Sequence, residues 1–224
     1  MEQLGLLEWA LPELAACRGV SQGAVHKSDV LDHALAVLGH VAAMEPWLVG
    51  DSRPAAACAE ASVVSVLERF RGLWPSLHVD ADSTGGGYLP LRLAALLHDV
   101  GKPLVGARGD AAHGSRFAGH DREGASVAAA MLRRWRLDPA LIDRVARIVG
   151  AHSRPLAMAR CGMPVESIDA YWNDLGGAGV DVALLSMADN ASKAGAEPER
   201  MATVSGAVLL LLEAFFSGRY GGDW

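Results

Sequence analysis

Cysteine is scarce in this chain of 224 residues, which contains only three. Cys17, Cys58 and Cys161 are odd in number, lie far apart and form no Cys-x-x-Cys pair. This spacing argues against a disulfide framework and against a zinc site built from thiolates. A reducing compartment fits such a chain, and we predict a cytoplasmic protein.

Long apolar runs are also missing. The longest, Ala207 to Leu212, ends at Glu213 and is too short to span a bilayer, so we expect a buried C-terminal helix there. The first residues, Met1-Glu2-Gln3, carry an acid instead of a basic segment and indicate no signal peptide. We therefore expect no membrane partner.

An excess of basic residues is absent as well, since the net charge is −6 and the pI is about 5.7. This balance argues against a surface devoted to nucleic acid as a whole, but it allows a local basic patch. One basic run surrounds Trp135, which we expect to lie in the core and not to stack on bases. We interpret the run first as the solvated face of two helices, with an RNA or phosphate surface as the alternative. Its members are Arg133, Arg134, Arg136, Arg144, Arg147 and Arg154.

Alternation typical of strands is hard to find, whereas apolar spacing typical of helices runs through the chain. Apolar residues make up 51% of it, enough for a large core. We predict an all-α, compact multi-helix fold in one domain, with an N-terminal helix and loop (1–25), a metal-binding core (26–195) and a C-terminal helix (196–224). The predicted helices are Gln3–Leu14, one from a Ser28 or Asp29 cap to about Met44, Ala55–Phe70, Pro90–His98, Gly119–Arg136, Asp138–Ala151, Val165–Leu175, Val180–Ala191 and Pro198–Phe216.

The most informative residues are His98 and Asp99, which follow the apolar run that starts at Leu89. Gly101 and Pro103 then end the helix, so two side chains able to bind metal are left at its rim. A histidine and an aspartate placed side by side in this way can bind one metal ion together.

Four other residues extend this set, and each has an ordinary explanation when taken alone. His33 could be a hydrogen-bonded core histidine, His120 a capping or surface residue, and His152 a partner of a helix dipole. Asp189 interrupts an apolar helix and needs a partner if it is buried. Taken together, six nitrogen and oxygen ligands without cysteine indicate a hydrolytic centre with one or two metal ions.

The order His33, His98-Asp99, Asp189 resembles that of the HD-domain phosphohydrolase superfamily. Over residues 5 to 155 the chain more narrowly resembles the C-terminal HD region of bacterial CCA-adding tRNA nucleotidyltransferases. The blocks that carry this resemblance start at Gly5, Arg18, His26, Leu91 and Phe117. A Gly-Ser pair followed by an Asp-x-Asp motif, as in the nucleotidyltransferase head, does not occur, so we do not expect CCA addition by this chain.

The resemblance implies an HD fold with a first metal held by His33, His98, Asp99 and Asp189. It also implies that Asp99 bridges to a second metal held by His120 and His152. The metal is a divalent ion, with manganese, iron, nickel, cobalt, zinc and magnesium all left open.

The resemblance further implies catalytic roles for Asp99 and Lys102. Lys102 is also a candidate for phosphate binding, with Arg116 and Lys193 as weaker candidates for the same role. Asp121 stands where the family's Gly-His-Glu block has glutamate, which puts an acid or base role for it in question.

We therefore expect a metal-dependent phosphohydrolase acting on nucleotide or RNA-end phosphate esters, of the 2′,3′-cyclic phosphodiesterase or nucleotidase type, with tRNA as a possible partner. One alternative is a dinucleoside polyphosphate hydrolase, since the chain also resembles small HD proteins that have two histidines after the His-Asp pair and cleave diadenosine tetraphosphate. The other is a non-catalytic tRNA-binding module of a split nucleotidyltransferase. The oligomeric state is left open.

Overall fold

Helices form nearly all of the regular structure in the computed structural model, which describes residues 6–22, 28–49, 61–74, 88–107, 117–193 and 198–219. Within these ranges no strand occurs, and the one isolated β-bridge pairs Ser21 with Asp29. The all-α prediction is confirmed. The helices are α1 Leu6–Ala10, α2 Pro12–Ala15, α3 Val30–Leu48, α4 Ala61–Arg69, α5 Leu89–Leu97, α6 Lys102–Ala107, α7 His120–Arg134, α8 Pro139–Ala151, α9 Arg154–Arg160, α10 Val165–Leu175, α11 Ala178–Ala191 and α12 Pro198–Ala214, followed by a π-helical turn, Phe215–Arg219.

Two aspartates begin the helices that carry much of the core. Asp29 caps α3 by accepting a hydrogen bond from the Asp32 N–H, and Asp138 caps α8 by accepting from the Ala140 N–H. Pro139 occupies the first turn of α8, where its missing N–H costs no helical hydrogen bond. Both caps lie where the sequence predicts them.

Helix α11 lies at the centre of the molecule and is buried along almost its whole length. Helices α3, α5, α8, α9, α10 and α12 all contact it. A helix that is apolar on every side is stable only when other helices surround it. This position explains why a carboxylate on α11, Asp189, faces side chains from distant parts of the chain.

Several boundaries differ from the prediction. The predicted helix Gln3–Leu14 is broken at Leu11, because Pro12 starts α2. Helix α3, predicted to end at about Met44, continues through Pro46 to Leu48, since Trp47 and Leu48 are buried and hold the last turn in place. Apolar spacing along α3 predicts Leu35 on the inner face of the helix, but this expectation is wrong, because Leu35 is 51% exposed.

Two short helices, α6 and α9, were not predicted. Each begins just after a metal-ligand candidate and has proline in its first turn: Pro103 in α6 and Pro155 in α9. The four glycines in 106–119 predict a loop there, but its first two residues belong to α6, and residues 108–116 lie outside the described part of the chain. Trp135, expected in the core, is 40% exposed at the C-cap of α7, so that expectation is wrong.

The C-terminal segment Pro198–Gly218 is long and apolar enough to cross a membrane when judged by length and composition alone. Its buried residues, such as Val204, Val208 and Leu211, belong to the hydrophobic core, and the helix contacts α4, α9 and α11. Core packing therefore accounts for its apolar side.

Candidate metal centre

The turn that links α5 to α6 carries His98 and Asp99. Leu91, Ala94 and Leu97 anchor α5 in the core, and this places the turn inside the molecule. His98 is fully buried and Asp99 is 2% exposed. Removing two polar side chains from water in this way is costly unless they have strong partners.

Gly101 allows the start of α7 to approach this turn closely. A Cβ atom at Gly101 would lie 2.2 Å from the carbonyl oxygen of His120 and 2.5 Å from the amide nitrogen of Gly124. Only a residue without a side chain permits such contact between two backbones. As a consequence, His120, the first residue of α7, reaches Asp99.

The first cluster consists of His33, His98, Asp99 and Asp189. His33 Nε2 lies 2.9 Å from Asp189 Oδ1 and 3.7 Å from Asp99 Oδ2. His98 Nε2 lies 3.2 Å from Asp99 Oδ2 and 3.9 Å from Asp189 Oδ1. These side chains come from α3, α11 and the turn after α5, and they meet around one point.

The second cluster consists of Asp99, His120 and His152. His120 Nε2 lies 3.2 Å from Asp99 Oδ1, and His152 Nε2 lies 3.9 Å from the same oxygen. The two Nε2 atoms are 3.2 Å apart. Asp99 thus presents Oδ2 to the first cluster and Oδ1 to the second.

The ring orientations direct nitrogen lone pairs into the clusters. In three histidines, Nδ1–H donates to the backbone carbonyl of the residue three positions earlier, which leaves Nε2 as the free ligand atom. These hydrogen bonds join His98 to Ala95, His120 to Phe117 and His152 to Val149, at 2.9, 2.9 and 2.8 Å.

His33 is oriented by a serine. Ser192 Oγ donates to the Asp189 carbonyl oxygen at 2.8 Å, so it can accept from Nδ1–H of His33 at 3.2 Å. The lone pair of His33 Nε2 then faces a carboxylate oxygen of Asp189 at 2.9 Å. Nε2 of His33 and the carboxylate oxygen of Asp189 would then both be acceptors, and two acceptors are stable at this distance only when a cation or a proton lies between them.

The donor set fits a divalent metal. Among the described residues, His98 Nε2 and Asp99 Oδ1 are buried and have no hydrogen-bond partner. Buried polar atoms of this kind are rare and need an explanation. Two groups of ligand atoms, those of His33, His98 and Asp99 and those of Asp99, His120 and His152, each lie within 4.8 Å of one another. Imidazole and carboxylate together are ligands that transition metals prefer.

Nearby cations keep both carboxylates ionised. Burial alone would raise the pKa of Asp99, but the positive charges of His98 and Lys102 hold it well below its usual range. Burial alone would likewise raise the pKa of Asp189, and the Lys193 ammonium holds it well below that range. Both residues are therefore in the form that binds metal.

The pKa values of the buried histidines are shifted in different directions. Burial lowers the pKa of His152 to about 4, and it lowers the pKa of His33 as well. Burial alone would lower the pKa of His98 too, but the Asp99 charge outweighs it and raises the value.

A pocket of about 130 Å³ opens onto both clusters. Lys102 Nζ lies 2.6 Å from Asp99 Oδ2 and 2.6 Å from Gln22 Oε1, and Lys193 Nζ lies 2.6 Å from Asp189 Oδ2. Both lysines line the pocket and give it positive charge. Arg116, the other predicted phosphate-binding residue, lies outside the described residues.

Five polar residues near the site were not predicted. Ser153 directly follows His152. Ser186 lies three positions before Asp189, on the same face of α11, so helical spacing could have indicated Ser186. Asn190 and Ser192 neighbour Asp189 in sequence. Nothing in the sequence indicates Gln22.

Asp121 does not line the pocket. Its Oδ2 accepts a hydrogen bond from Ser153 Oγ at 3.0 Å, and its Oδ1 accepts from the Arg122 N–H. The hydrogen bond between Ser153 and Asp121 thus joins the residue after His152 to the residue after His120.

Half of the arginines in the basic run form ion pairs. Arg134 pairs with Glu13, Arg144 with Asp181, and Arg154 with Asp174. These pairs agree with the first interpretation of the run, a solvated helical surface.

The comparisons with known proteins agree with the geometry. A family model described as "HD domain" matches residues 86–202, more than half of the chain. The A-adding tRNA nucleotidyltransferase of Deinococcus radiodurans is 34% identical over 152 residues, which are 68% of this chain and 26% of that protein. The CC-adding tRNA nucleotidyltransferase of Thermus thermophilus is 32% identical over 152 residues, which are again 68% of this chain and 26% of that protein. The chain thus spans about a quarter of the length of the curated relatives it matches.

Proposed function

The chain belongs to the HD-domain family, which lies within a superfamily of metal-dependent phosphohydrolases, and on this premise we propose that it hydrolyses phosphate esters of nucleotides or of RNA ends. The proposed activity is that of a 2′,3′-cyclic phosphodiesterase or a nucleotidase. The observation that carries the proposal is the shared carboxylate of Asp99, which presents one oxygen to each cluster beside a pocket lined by Lys102 and Lys193.

The first cluster would hold one divalent ion and the second cluster another. When bound, such ions lower the pKa of a water molecule and neutralise charge on phosphoryl oxygens. Because the carboxylates are already ionised, their protonation does not oppose metal binding at neutral pH.

The two lysines would orient the substrate. Each ammonium lies against a ligand carboxylate and borders the pocket, so it can also donate to a phosphoryl oxygen there. Fixed positive charge in a site that largely excludes water stabilises the negative charge that develops during phosphoryl transfer. The depth of Asp99, His98 and His33 supplies that exclusion.

An RNA end is favoured as substrate by the names of the relatives, which are tRNA nucleotidyltransferases. A tRNA or another RNA with a terminal phosphate is therefore the proposed partner. The free thiols of Cys17 and Cys161 are consistent with a reducing, cytoplasmic location.

The test begins with metal analysis of the purified protein, which we expect to contain about one to two transition-metal ions per chain. Hydrolysis of bis-para-nitrophenyl phosphate with added manganese or nickel then measures general activity. A screen of 2′,3′-cyclic nucleotides, nucleoside monophosphates and diadenosine tetraphosphate identifies the substrate class. Preference for diadenosine tetraphosphate would favour the dinucleoside polyphosphate hydrolase.

Substitutions separate loss of the site from loss of the fold. His98→Ala and Asp99→Ala should lose metal and turnover while remaining folded by circular dichroism. His40→Ala is the matched control, because His40 lies about two turns beyond His33 on α3 and belongs to neither cluster. If the wild-type protein binds no metal and shows no turnover, a non-catalytic tRNA-binding module becomes the better explanation.

A further inference from the structure

Ser186 contributes a polar group to the pocket from the most deeply buried helix. It lies on α11, three residues before Asp189, so the two side chains share one face of the helix. The residue is 1% exposed and lines the pocket together with Asn190 and Lys193.

The hydroxyl group of Ser186 is available for a hydrogen bond to a bound molecule. Within the described part of the chain, its Oγ is buried and has no hydrogen-bond partner. A buried donor without a partner destabilises the folded state, so a bound group that accepts from it would be strongly favoured.

The neighbouring amide has a hydrogen-bond partner at each end, in contrast to this hydroxyl. Asn190 Nδ2 donates to the Ser186 carbonyl oxygen at 2.8 Å, and Asn190 Oδ1 accepts from Arg200 Nε at 2.9 Å. These bonds hold the backbone at Ser186 in place. The Ser186 side chain is therefore carried by a well-held stretch of backbone at the wall of the pocket.

We propose that the Ser186 hydroxyl donates a hydrogen bond to a phosphoryl oxygen of the bound substrate. This inference rests on the proposed phosphohydrolase function and adds a substrate-binding residue to it. The Lys193 ammonium lines the same pocket, so a phosphate group there would meet a charged donor and a neutral one. The two types of donor together match the several acceptor oxygens of a phosphate.

The test compares Ser186→Ala with Ser205→Ala. Ser205 is a second buried serine without a hydrogen-bond partner among the described residues; it lies on α12 and does not line this pocket. Binding of inorganic phosphate is measured by calorimetry in the presence of saturating manganese. Thermal unfolding and manganese stoichiometry are measured on the same samples.

Ser186→Ala should weaken phosphate binding about tenfold or more, because a hydrogen bond to a charged acceptor is lost. Ser205→Ala should leave phosphate binding unchanged. Both variants should keep the manganese stoichiometry and unfold at the same or a higher temperature than wild type, since each removes an unpartnered hydroxyl and introduces a better helix former.

Equal phosphate affinity in Ser186→Ala and wild type would overturn the inference and assign the hydroxyl to a bound water. That result would leave the proposed function intact. If wild-type protein loaded with manganese binds no phosphate, the proposed function itself fails, and the assignment of Ser186 fails with it.

Discussion

A methyl group added at Gly101 should separate the two segments that bring His120 to Asp99. The new Cβ atom would lie 2.2 Å from the His120 carbonyl oxygen and 2.5 Å from the Gly124 nitrogen. Both are backbone atoms, so no side chain can rotate away to make room. Ordinary contact begins near 3.5 Å, and the start of α7 must therefore move by about 1 Å.

This displacement predicts both a stability change and a loss of metal. Overpacking of this kind costs about 1–3 kcal/mol, and the rigid backbone contact places Gly101→Ala at about 3 kcal/mol. The distance of 3.2 Å between His120 Nε2 and Asp99 Oδ1 would grow as α7 moves, so the second cluster should lose its metal. The first cluster has no ligand on α7 and should keep its own.

Urea unfolding measures the change in stability, and calorimetric titration with manganese measures the metal sites. Gly39→Ala is the control, since Gly39 lies in the interior of α3 and a Cβ atom there would meet nothing within 4 Å. That variant should be stabilised by about 0.5–1 kcal/mol. Unchanged stability and unchanged metal stoichiometry in Gly101→Ala would refute the role assigned to this contact.

Three other features of the structure can be tested separately. Iodoacetamide should modify exposed Cys161 quickly and Cys17 very slowly, as read by peptide mass mapping, because burial raises the pKa of Cys17 to about 12. Asp29→Ala should cost about 1 kcal/mol at pH 7. Burial alone would raise the pKa of Asp29, but the backbone N–H groups that it caps lower it, so this contribution is present above the unfolded-state pKa and is lost as the pH falls through the folded-state value. Ser153→Ala removes the bond to Asp121 and should weaken metal binding at the second cluster about tenfold in a calorimetric titration.

Each of these tests has a clear opposing result. Fast modification of Cys17 in the folded protein would show that its burial is incomplete. A difference between wild type and Asp29→Ala that persists at acid pH would contradict the charge-dependent cap. Ser126→Ala, which removes an exposed hydrogen bond on α7, the helix that carries Asp121, is the control for Ser153→Ala. Equal metal affinities in the two variants would refute the role of the Asp121 bond.

Glycine and proline residues at helix ends made several helices predictable from the sequence. Helix α10 has the predicted bounds, Val165–Leu175, because Pro164 precedes it and Gly176 follows it in a non-helical conformation. The same residue types misled the prediction at α6 and α9. We interpreted Pro103 as ending a helix, whereas proline is also suited to the first turn of a new one.

Tertiary packing determined the structure at positions where the local sequence pattern was not sufficient to predict it. Pro46 removes one helical hydrogen bond, yet burial of Trp47 and Leu48 stabilises the end of α3 beyond it. Trp135 follows the last turn of α7, where Arg136 adopts a positive φ of 57°, and the indole is left 40% exposed. Hydrophobic character alone did not indicate that the chain turns there.

The six metal-ligand candidates could be named from the sequence because they lie at helix ends or interrupt apolar faces. Their division between two clusters that share Asp99 came from the resemblance, and the structure brings the same groups together. The groups around them, such as Ser192 beside His33 and Gln22 beside Lys102, could not be predicted. Their contacts depend on how distant segments meet.

The two clusters should differ in metal affinity, since they differ in ligand number and support. The first has four ligands on α3, α11 and the turn after α5, and three of them are nearly inaccessible to water. The second has three ligands, and His120 retains 18% exposure of its side chain. A site with fewer protein ligands keeps open positions for water or substrate and binds its metal less tightly.

Titration of metal-free protein with manganese should therefore show a tighter and a weaker step. His120→Ala should remove the weaker step and leave the tighter one, because His120 belongs to the second cluster only. His33→Ala should remove the tighter step. If His120→Ala instead abolished the tighter step, the second cluster would be the primary site, and Asp99 would have to hold its metal mainly through Oδ1.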